Sequence, residues 1–321
     1  MKSYYSVLTL AVWIAIINIS CSKKGDPTPS QVSLTTTAVT GITLFSASGG
    51  GNITSEGGSP VTARGICWST NAEPTIADSK TTDGAGTGSF ISSITGLTTG
   101  TTYFVRAYAT NNVGTVYGNA VSFATQTITD IDGNVYHAVT IGTQVWMVEN
   151  LRVTKYNNGT TIPLITGNTV WATQSTAAYC WYNNDAVANK IPYGALYNWY
   201  AVVSGKLSPP GWHIPNDGDW SILMSYLSNS GPGKLKETGT GHWQSPNTGA
   251  TNESGFTALP GGIRALDGSF NFMGHAGYWW DSSISGGGPA GNKGLLNSSG
   301  DTYFGNYQIE QMGYSVRCIK D

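Results

Sequence analysis

The distribution of glycine constrains the fold of this chain more than any other feature. The 321 residues include 42 glycines, set among many Ser, Thr and Asn and few of the Glu and Lys that favour helices. Runs that alternate apolar and polar residues lie between the glycine clusters. Because this mixture is typical of short strands joined by tight turns, we expect a mainly β protein. The length suggests about two domains.

The first residues predict export. The apolar stretch Val7–Ile19 is shorter than the roughly 20 residues that cross a bilayer, so we interpret residues 1–20 as a signal peptide. Cys21 follows it directly and precedes polar residues, which resembles a bacterial lipobox, although Asn18 stands where an aliphatic residue is usual. In such signals the cysteine is acylated and becomes the mature N-terminus. An ordinary cleaved signal is the alternative.

This segment also predicts where the protein resides. Acyl chains on Cys21 would anchor it as a lipoprotein of the outer membrane, exposed at the cell surface, and residues 21–30 would be a linker. The net charge of −2 and the 11% of charged residues argue against a nucleic-acid partner, which requires a basic surface.

Residues 31–126 predict a small all-β sandwich. Strands are expected at Val32–Thr35, Gly41–Phe45, Ala63–Trp68 and Thr102–Ala109. The stretch from Gly96 to Thr115 resembles a fibronectin type III domain of the immunoglobulin-like class. This resemblance implies a tyrosine corner, in which the hydroxyl of Tyr103 bonds back to the preceding loop. We interpret this domain as a spacer, with peptide or glycan binding as the alternative.

Residues 127–321 differ in kind, since they hold nine of the 11 tryptophans and all four histidines. Asp132-Gly133 predicts a hairpin turn. Helices are expected at Gly194–Val203 and at Asp217–Leu227, the second with Asn216 or Asp217 as its N-cap. Two helices within irregular β structure predict an α+β domain.

Several blocks in this region carry a resemblance to a known family. They are GTQVWMVENL, YGALYNWYAV, PPGWHIPNDGDW, ATNESGFTALPGG and GYSVRCIKD, and they are similar to successive blocks of the Fibrobacter succinogenes major paralogous domain. That family occurs in exported proteins of Bacteroidetes and Fibrobacteres. The resemblance implies a branch of the C-type lectin-like fold, in which two helices flank a small sheet and long loops carry the binding surface. Some proteins of that fold bind sugars or proteins, and others are catalytic.

The cysteines depart from the family pattern. Ser208 stands where relatives often have a cysteine, which leaves Cys180 and Cys318 in the domain. The resemblance leaves two alternatives open for these residues, a disulfide between them or two buried thiols.

The sequence favours binding over catalysis. No nucleophile, metal-ligand or phosphate-binding motif is present, and context distinguishes no pair among the carboxylates Glu237, Glu253, Asp267 and Asp281. His213 lies between apolar neighbours, which indicates a structural role. We therefore expect neither an enzyme nor a cofactor or metal site. Calcium at Asp130, Asp132 and Asn134 is a weaker alternative to the hairpin turn.

A polar and aromatic surface before the last strand is the predicted ligand site. Because Trp279 and Trp280 are adjacent on a strand, we expect at most one of them in the core. Tyr, Asn, Ser and Gly are typical of adaptable binding surfaces. The predicted contacts with an extracellular polysaccharide or protein are Trp280, Asn292, Asn297, Asp301, Tyr303, Asn306 and Tyr307.

For this surface, the alternative is a solvated hairpin that binds no ligand. For the whole protein, two functions follow. The first is a surface lipoprotein for adhesion or glycan capture, with the β-sandwich as stalk and the C-terminal domain as head. The second is a polysaccharide-processing enzyme or an accessory subunit of one.

Overall fold

A computed structural model describes residues 31–227, 231–283, 291–300 and 309–321, together with the strand at 302–305. It is mainly β, with four α-helices in the described part of the C-terminal region and none in residues 31–126. No helix among the described residues is both long and apolar enough to span a bilayer.

The N-terminal domain consists of two packed sheets. One sheet has the order β1-β2-β5, and the other has the order β4-β3-β6-β7 with β8 paired to β6. The strands are β1 Ser33–Thr36, β2 Ala47–Ser55, β3 Ala63–Ser69, β4 Ser79–Lys80, β5 Gly88–Ile94, β6 Thr102–Asn111, β7 Gly114–Tyr117 and β8 Val121–Ala124.

Alternating side chains from the two sheets form one core. Ile53 and Phe90 of the first sheet pack with Ile66, Val105 and Ala107 of the second. The sheets come close at Gly51, where an added Cβ would lie 2.6 Å from the Cβ of Ala107. A side chain there would push the sheets apart, so the glycine is needed for this packing.

The tyrosine corner is confirmed, since the backbone N–H of Thr98 donates to the hydroxyl of Tyr103 at 3.1 Å. The strand predicted at Gly41–Phe45 is wrong. This segment is a turn in which the Thr43 hydroxyl accepts from the N–H groups of Phe45 and Ser46, and these local bonds compete with strand pairing.

The C-terminal domain contains thirteen strands and four helices in its described part. The strands are β9 Ile128–Thr129, β10 Val135–Tyr136, β11 Ala138–Ile141, β12 Gln144–Met147, β13 Tyr179–Cys180, β14 Leu196–Tyr197, β15 Trp212–His213, β16 Gly261–Arg264, β17 Phe270–Met273, β18 Ala276–Asp281, β19 Gly291–Leu296, β20 Thr302–Gly305 and β21 Ile319–Lys320. The helices are α1 Asn168–Ala172, α2 Ala186–Tyr193, α3 Trp199–Val202 and α4 Asp217–Leu227, with single 3-10 turns at Tyr182–Asn184 and Pro232–Leu235.

Two larger sheets organise this domain. The sheet β11-β12-β21-β15 places the last strand between strands from the beginning and the middle of the domain. The sheet β17-β16-β18-β19-β20 lies between two hydrophobic clusters. One cluster contains Trp279 and residues of α4, and the other contains Trp280, Trp199 and Tyr314.

The helix at Asp217–Leu227 is confirmed, with Trp220, Leu223 and Leu227 buried. Asn216 caps it, because its side chain accepts from the N–H of Asp219 at 3.1 Å while the Asp219 carboxylate accepts from the N–H of Asn216 at 2.9 Å. The helix predicted at Gly194–Val203 is largely wrong. Leu196 and Tyr197 form β14, which pairs with β13, and only Trp199–Val202 is helical.

The two domains are in contact. The hydroxyl of Thr99 accepts from the N–H of Ala138 at 3.0 Å, and Leu44 and Phe45 pack against the core of the C-terminal domain. The domains therefore share an interface next to the chain that joins them.

Candidate ligand-binding site

Two residues of the predicted contact surface lie in the core. Trp280 is 0% exposed, and its ring lies 4.5 Å from that of Tyr314 and 5.5 Å from that of Trp199, measured between centroids. Its indole N–H donates to the carbonyl of Tyr197 at 2.6 Å. Asn292 is paired directly opposite Trp280 and is also buried. The prediction that these two side chains contact a ligand is wrong, because both faces of this sheet are covered.

The rest of the predicted surface is divided. Asn297 is half-buried, and its amide donates to the carbonyls of Gln244 and Ser245 at 3.3 and 3.2 Å, so it holds the neighbouring loop. Tyr303 lies in β20 opposite Gly294. Asp301, Asn306 and Tyr307 lie outside the described residues, as does Cys21.

Cys180 and Cys318 are free thiols, so the disulfide considered between them is wrong. Both are fully buried, but in different hydrophobic clusters. Burial raises the pKa of the Cys180 thiol to about 12 and raises that of Cys318 further. Such thiols stay protonated at neutral pH and are poor nucleophiles.

Hydrogen bonds occupy the oxygens of the acidic turn. Asp130 accepts from the N–H groups of Asp132 and Asn134 through Oδ1, and from the Asn134 amide and the Tyr136 hydroxyl through Oδ2, at 2.6 to 3.0 Å. Strands β9 and β10 pair across this turn. The geometry therefore favours the hairpin interpretation over the calcium alternative.

Three histidines pair with carboxylates that the sequence analysis did not connect with them. His213 Nδ1 lies 2.7 Å from Asp321 and its Nε2 lies 3.2 Å from Asp219. His242 Nδ1 lies 2.8 Å from Glu237. His137 and Glu149 form a similar pair at 2.7 Å. Asp219 and Glu237 lie within six residues of their histidines in the sequence, whereas Glu149 and Asp321 are brought to theirs by the fold.

Two adjoining cavities form a concave surface, which we call the proline groove. Thr129, Pro209 and Pro210 line both cavities. The first has a volume of about 240 Å³ and the second of about 430 Å³. The first is also lined by Asp130, Ile131, Val153, Lys155, Asn157, Leu207 and Ser208, and the second by Thr43, Leu44, Phe45, Gln126, Thr127, Ile128, Trp212 and Lys320.

Local bonds position the walls of this groove. The Asn157 amide donates to the carbonyl of Ser208 at 3.2 Å, and the N–H of Trp212 donates to the carbonyl of Pro209 at 3.1 Å. Because each proline ring fixes its own φ, the segment at 209–210 is stiff before binding. The second cavity lies where the two domains meet, and such junctions are common places for ligand sites.

Two lysines and two carboxylates lie in or beside the groove. Its one lining carboxylate, Asp130, is buried and fully hydrogen-bonded, whereas Lys155 and Lys320 are exposed. Lys155 lies 3.4 Å from Asp132. Burial opposes ionisation of Asp132, but bonds from the N–H and hydroxyl of Thr154 and the charge of Lys155 outweigh it and lower the pKa of that carboxyl.

The sequence analysis missed this groove. The consecutive prolines in the block PPGWHIPNDGDW were a usable signal, because two fixed rings before a strand form a stiff wall. The remainder of the wall comes from residues around 43, 129 and 155, which are distant in the sequence. The contact between the domains brings the residues around 43 next to the others.

A family model, the Fibrobacter succinogenes major domain, matches residues 139–320, more than half of the chain. The chain belongs to this family, as its sequence blocks predicted. No curated protein matches.

Solved structures match with low scores. The sensor domain of the anti-sigma factor RsgI4 from Pseudobacteroides cellulosolvens is 16% identical, with a TM-score of 0.24 over 31% of this chain and 98% of that one. A fibronectin type III domain from the human KIAA0970 protein is 10% identical, with a TM-score of 0.23 over 32% and 79%. Titin domains A168–A170 are 19% identical, with a TM-score of 0.22 over 30% and 32%, so this chain spans about a third of that structure. At these scores the sandwich assignment rests on the strand order and the tyrosine corner.

Proposed function

We propose that this protein is a lipoprotein of the outer membrane, displayed at the cell surface, whose C-terminal domain captures an extracellular carbohydrate in the proline groove. Cys21 carries the acyl chains, residues 21–30 are a linker, and the β-sandwich is the stalk. The observation that carries the proposal is the pair of adjoining cavities that share Thr129, Pro209 and Pro210.

The lining of the groove suits a sugar. The 430 Å³ of its larger cavity lies within the range of about 300–1,000 Å³ found for small-ligand sites. Apolar rings at Phe45 and Pro210 can cover the C–H face of a sugar ring. Hydroxyl and amide groups at Thr129, Gln126 and Asn157 can bond its hydroxyls.

We also propose that the C-terminal domain is a branch of the C-type lectin-like fold. The small sheet β11-β12-β21-β15 supports this assignment, together with the long segment at residues 236–260, which contains no helix and no strand. In that fold long loops carry ligand sites. Here the loop before β15 and the hairpin β9–β10 provide the groove.

The alternative function, polysaccharide processing, has weaker support at this site. Glycoside hydrolysis generally needs two carboxyl groups about 5–10 Å apart across the substrate. Of the residues that line the proline groove, only Asp130 is acidic, and both of its oxygens already accept hydrogen bonds. We therefore favour capture over cleavage.

A glycan and polysaccharide array tests the proposal with the full chain and two matched variants. Thr129→Trp places a large ring in the wall that both cavities share, and we expect binding to fall at least tenfold. Val187→Trp introduces the same ring at a site that is 96% exposed on α2, outside the groove, and should bind like the wild type.

Each outcome has a definite meaning. Selective glycan binding that only Thr129→Trp removes supports the groove as the site. Binding that both variants retain would place the site elsewhere. If no glycan binds the wild type, carbohydrate capture is wrong. Release of shorter glycans during incubation would favour the enzyme.

A further inference from the structure

A buried lysine and a buried aspartate lie side by side on two neighbouring inner strands of the larger sheet. Lys293 is on β19 and Asp281 is on β18, two positions apart in the ladder and on the same face as Trp279. Their side chains are 3% and 2% exposed, and Lys293 Nζ lies 2.8 Å from Asp281 Oδ2.

Two further groups complete the arrangement. The other oxygen of Asp281, Oδ1, accepts a hydrogen bond from the N–H of Ser283 at 2.7 Å. A second carboxylate, that of Asp217 in the first turn of α4, lies 2.9 Å from Lys293 Nζ and is 66% exposed. An amine, a carboxyl carbon, a donor to the carboxyl oxygen and a proton acceptor are thus within reach of one another.

Burial destabilises the charged pair relative to a neutral amide. Removing an ammonium and a carboxylate from water costs several kcal/mol per ion, which their mutual attraction offsets only in part. Condensation to an amide removes both charges, and the water that forms can leave toward the exposed side chain of Asp217. The dry surroundings that penalise the ion pair therefore favour the amide.

We propose that Lys293 and Asp281 form an intramolecular isopeptide bond. One proton passes from the Lys293 ammonium through the Asp217 carboxylate to Oδ2 of Asp281, which leaves a neutral amine and a neutral carboxyl group. The free amine then attacks Cγ of Asp281, and the Ser283 N–H stabilises the charge on Oδ1. Asp217 then carries a second proton from Nζ to Oδ2, the Cγ–Oδ2 bond breaks, and Oδ2 leaves as water with two protons that both came from Nζ. An Nζ–Cγ amide with one N–H remains.

The bond would supply a covalent cross-link that the cysteines do not. Cys67, Cys180 and Cys318 are all free thiols, which is unusual for a protein expected outside the cell. An amide between β18 and β19 would hold these strands together under conditions that reduce disulfides. This inference is independent of the ligand that the proline groove binds.

Peptide mapping of the full chain tests the proposal. Digestion with trypsin under denaturing conditions cuts an unmodified chain after Arg264, Lys293 and Arg317, which gives peptides 265–293 and 294–317. An amide at Lys293 blocks cleavage there. The expected product is therefore one peptide, 265–317, whose mass is one water molecule below that of the linear peptide of the same residues. Its fragment ions should place the link between Asp281 and Lys293.

Lys293→Arg is the matched variant. It keeps the positive charge beside Asp281 and the trypsin site but lacks a primary amine, so it should yield two separate peptides. Asp217→Asn should lower the joined fraction by slowing proton transfer. Separate peptides of unmodified mass in the wild-type chain would overturn the proposal and leave Lys293 and Asp281 as a buried salt bridge.

Discussion

At the residue scale, the adjacent tryptophans of β18 are both buried, Trp279 on one face of the sheet and Trp280 on the other. Alternation along the strand correctly puts them on opposite faces, but the expectation that at most one of them lies in the core is wrong. Whether a face is covered depends on α4 on one side and on Trp199 and Tyr314 on the other. Those contacts are distant in the sequence. Tyr103 was predictable because both ends of its bond, Thr98 and Tyr103, lie within one short motif.

Truncation of Trp280 tests its role in the core. Trp280→Ala should lower the free energy of unfolding by about 3–5 kcal/mol, because it leaves a large cavity and removes one of the two hydrogen bonds to the carbonyl of Tyr197, which keeps the bond from the N–H of Tyr314. Phe272→Ala, at a residue that is about half exposed, should cost less than about 1 kcal/mol. Urea unfolding of both variants measures the difference. A Trp280→Ala protein as stable as the wild type would contradict its placement.

The lowered pKa of Asp132 predicts a pH-dependent contribution to stability. Because the folded state holds this pKa below its ordinary value of 3.8, the carboxylate stabilises the fold above that pH. The contribution is lost as the pH falls through the lower, folded value. Asp132→Asn should therefore cost about 1–3 kcal/mol at pH 7 and progressively less below about pH 4. Unfolding curves of both proteins across this pH range check the sign. A difference in unfolding free energy between the wild type and Asp132→Asn that grows in acid would contradict it.

At the element scale, the predictions succeeded where one short segment contains its own signals. Helix α4 has an apolar stripe and a reciprocal cap within its own sequence. The segment at 194–203 also has a helical stripe, yet Leu196 and Tyr197 pair with β13 instead. Pairing with a distant strand overrode local preference there. The short helices α1 and α2 have weak local signals, and the sequence analysis did not predict them.

Asn198 is the residue that ends β14 and begins α3. It is 0% exposed, its Oδ1 accepts from the N–H groups of Ala178 and Ala201, and its amide donates to the carbonyl of Thr176. Asn198→Ala would remove the side-chain bond to the buried N–H of Ala178 and the two other bonds of this amide, and should cost about 2–4 kcal/mol. Asn216→Ala removes an exposed cap and should cost about 1 kcal/mol. Thermal unfolding of the two variants compares their stabilities. Equal losses of stability in Asn198→Ala and Asn216→Ala would contradict the larger role of Asn198.

At the scale of the whole molecule, the sequence predicted the family but not the groove. The family blocks are local and were visible in the sequence. The proline groove depends on residues around 43, 129 and 209 that meet only because the sandwich packs against the C-terminal domain. A surface built from both domains has no signature in either one.

The proposed lipid anchor predicts how the chain partitions in cells. Cys21→Ser removes the thiol that the proposal acylates, so the protein should move from the membrane fraction to the soluble fraction. Fractionation followed by immunoblotting measures this shift, and Ser22→Ala is the control that keeps the cysteine. A Cys21→Ser protein that remains in the membrane would contradict the lipid anchor.

The central claim is that a ligand occupies the proline groove, and hydrogen–deuterium exchange on the full chain tests it most directly. With a glycan selected by the array at saturating concentration, we expect slower exchange in residues 126–131 and 207–213, which line the two cavities, and little change in β19 and β20. Protection concentrated in residues 291–305, or no protection at 126–131 and 207–213, would contradict the account and return the ligand to the surface before the last strand.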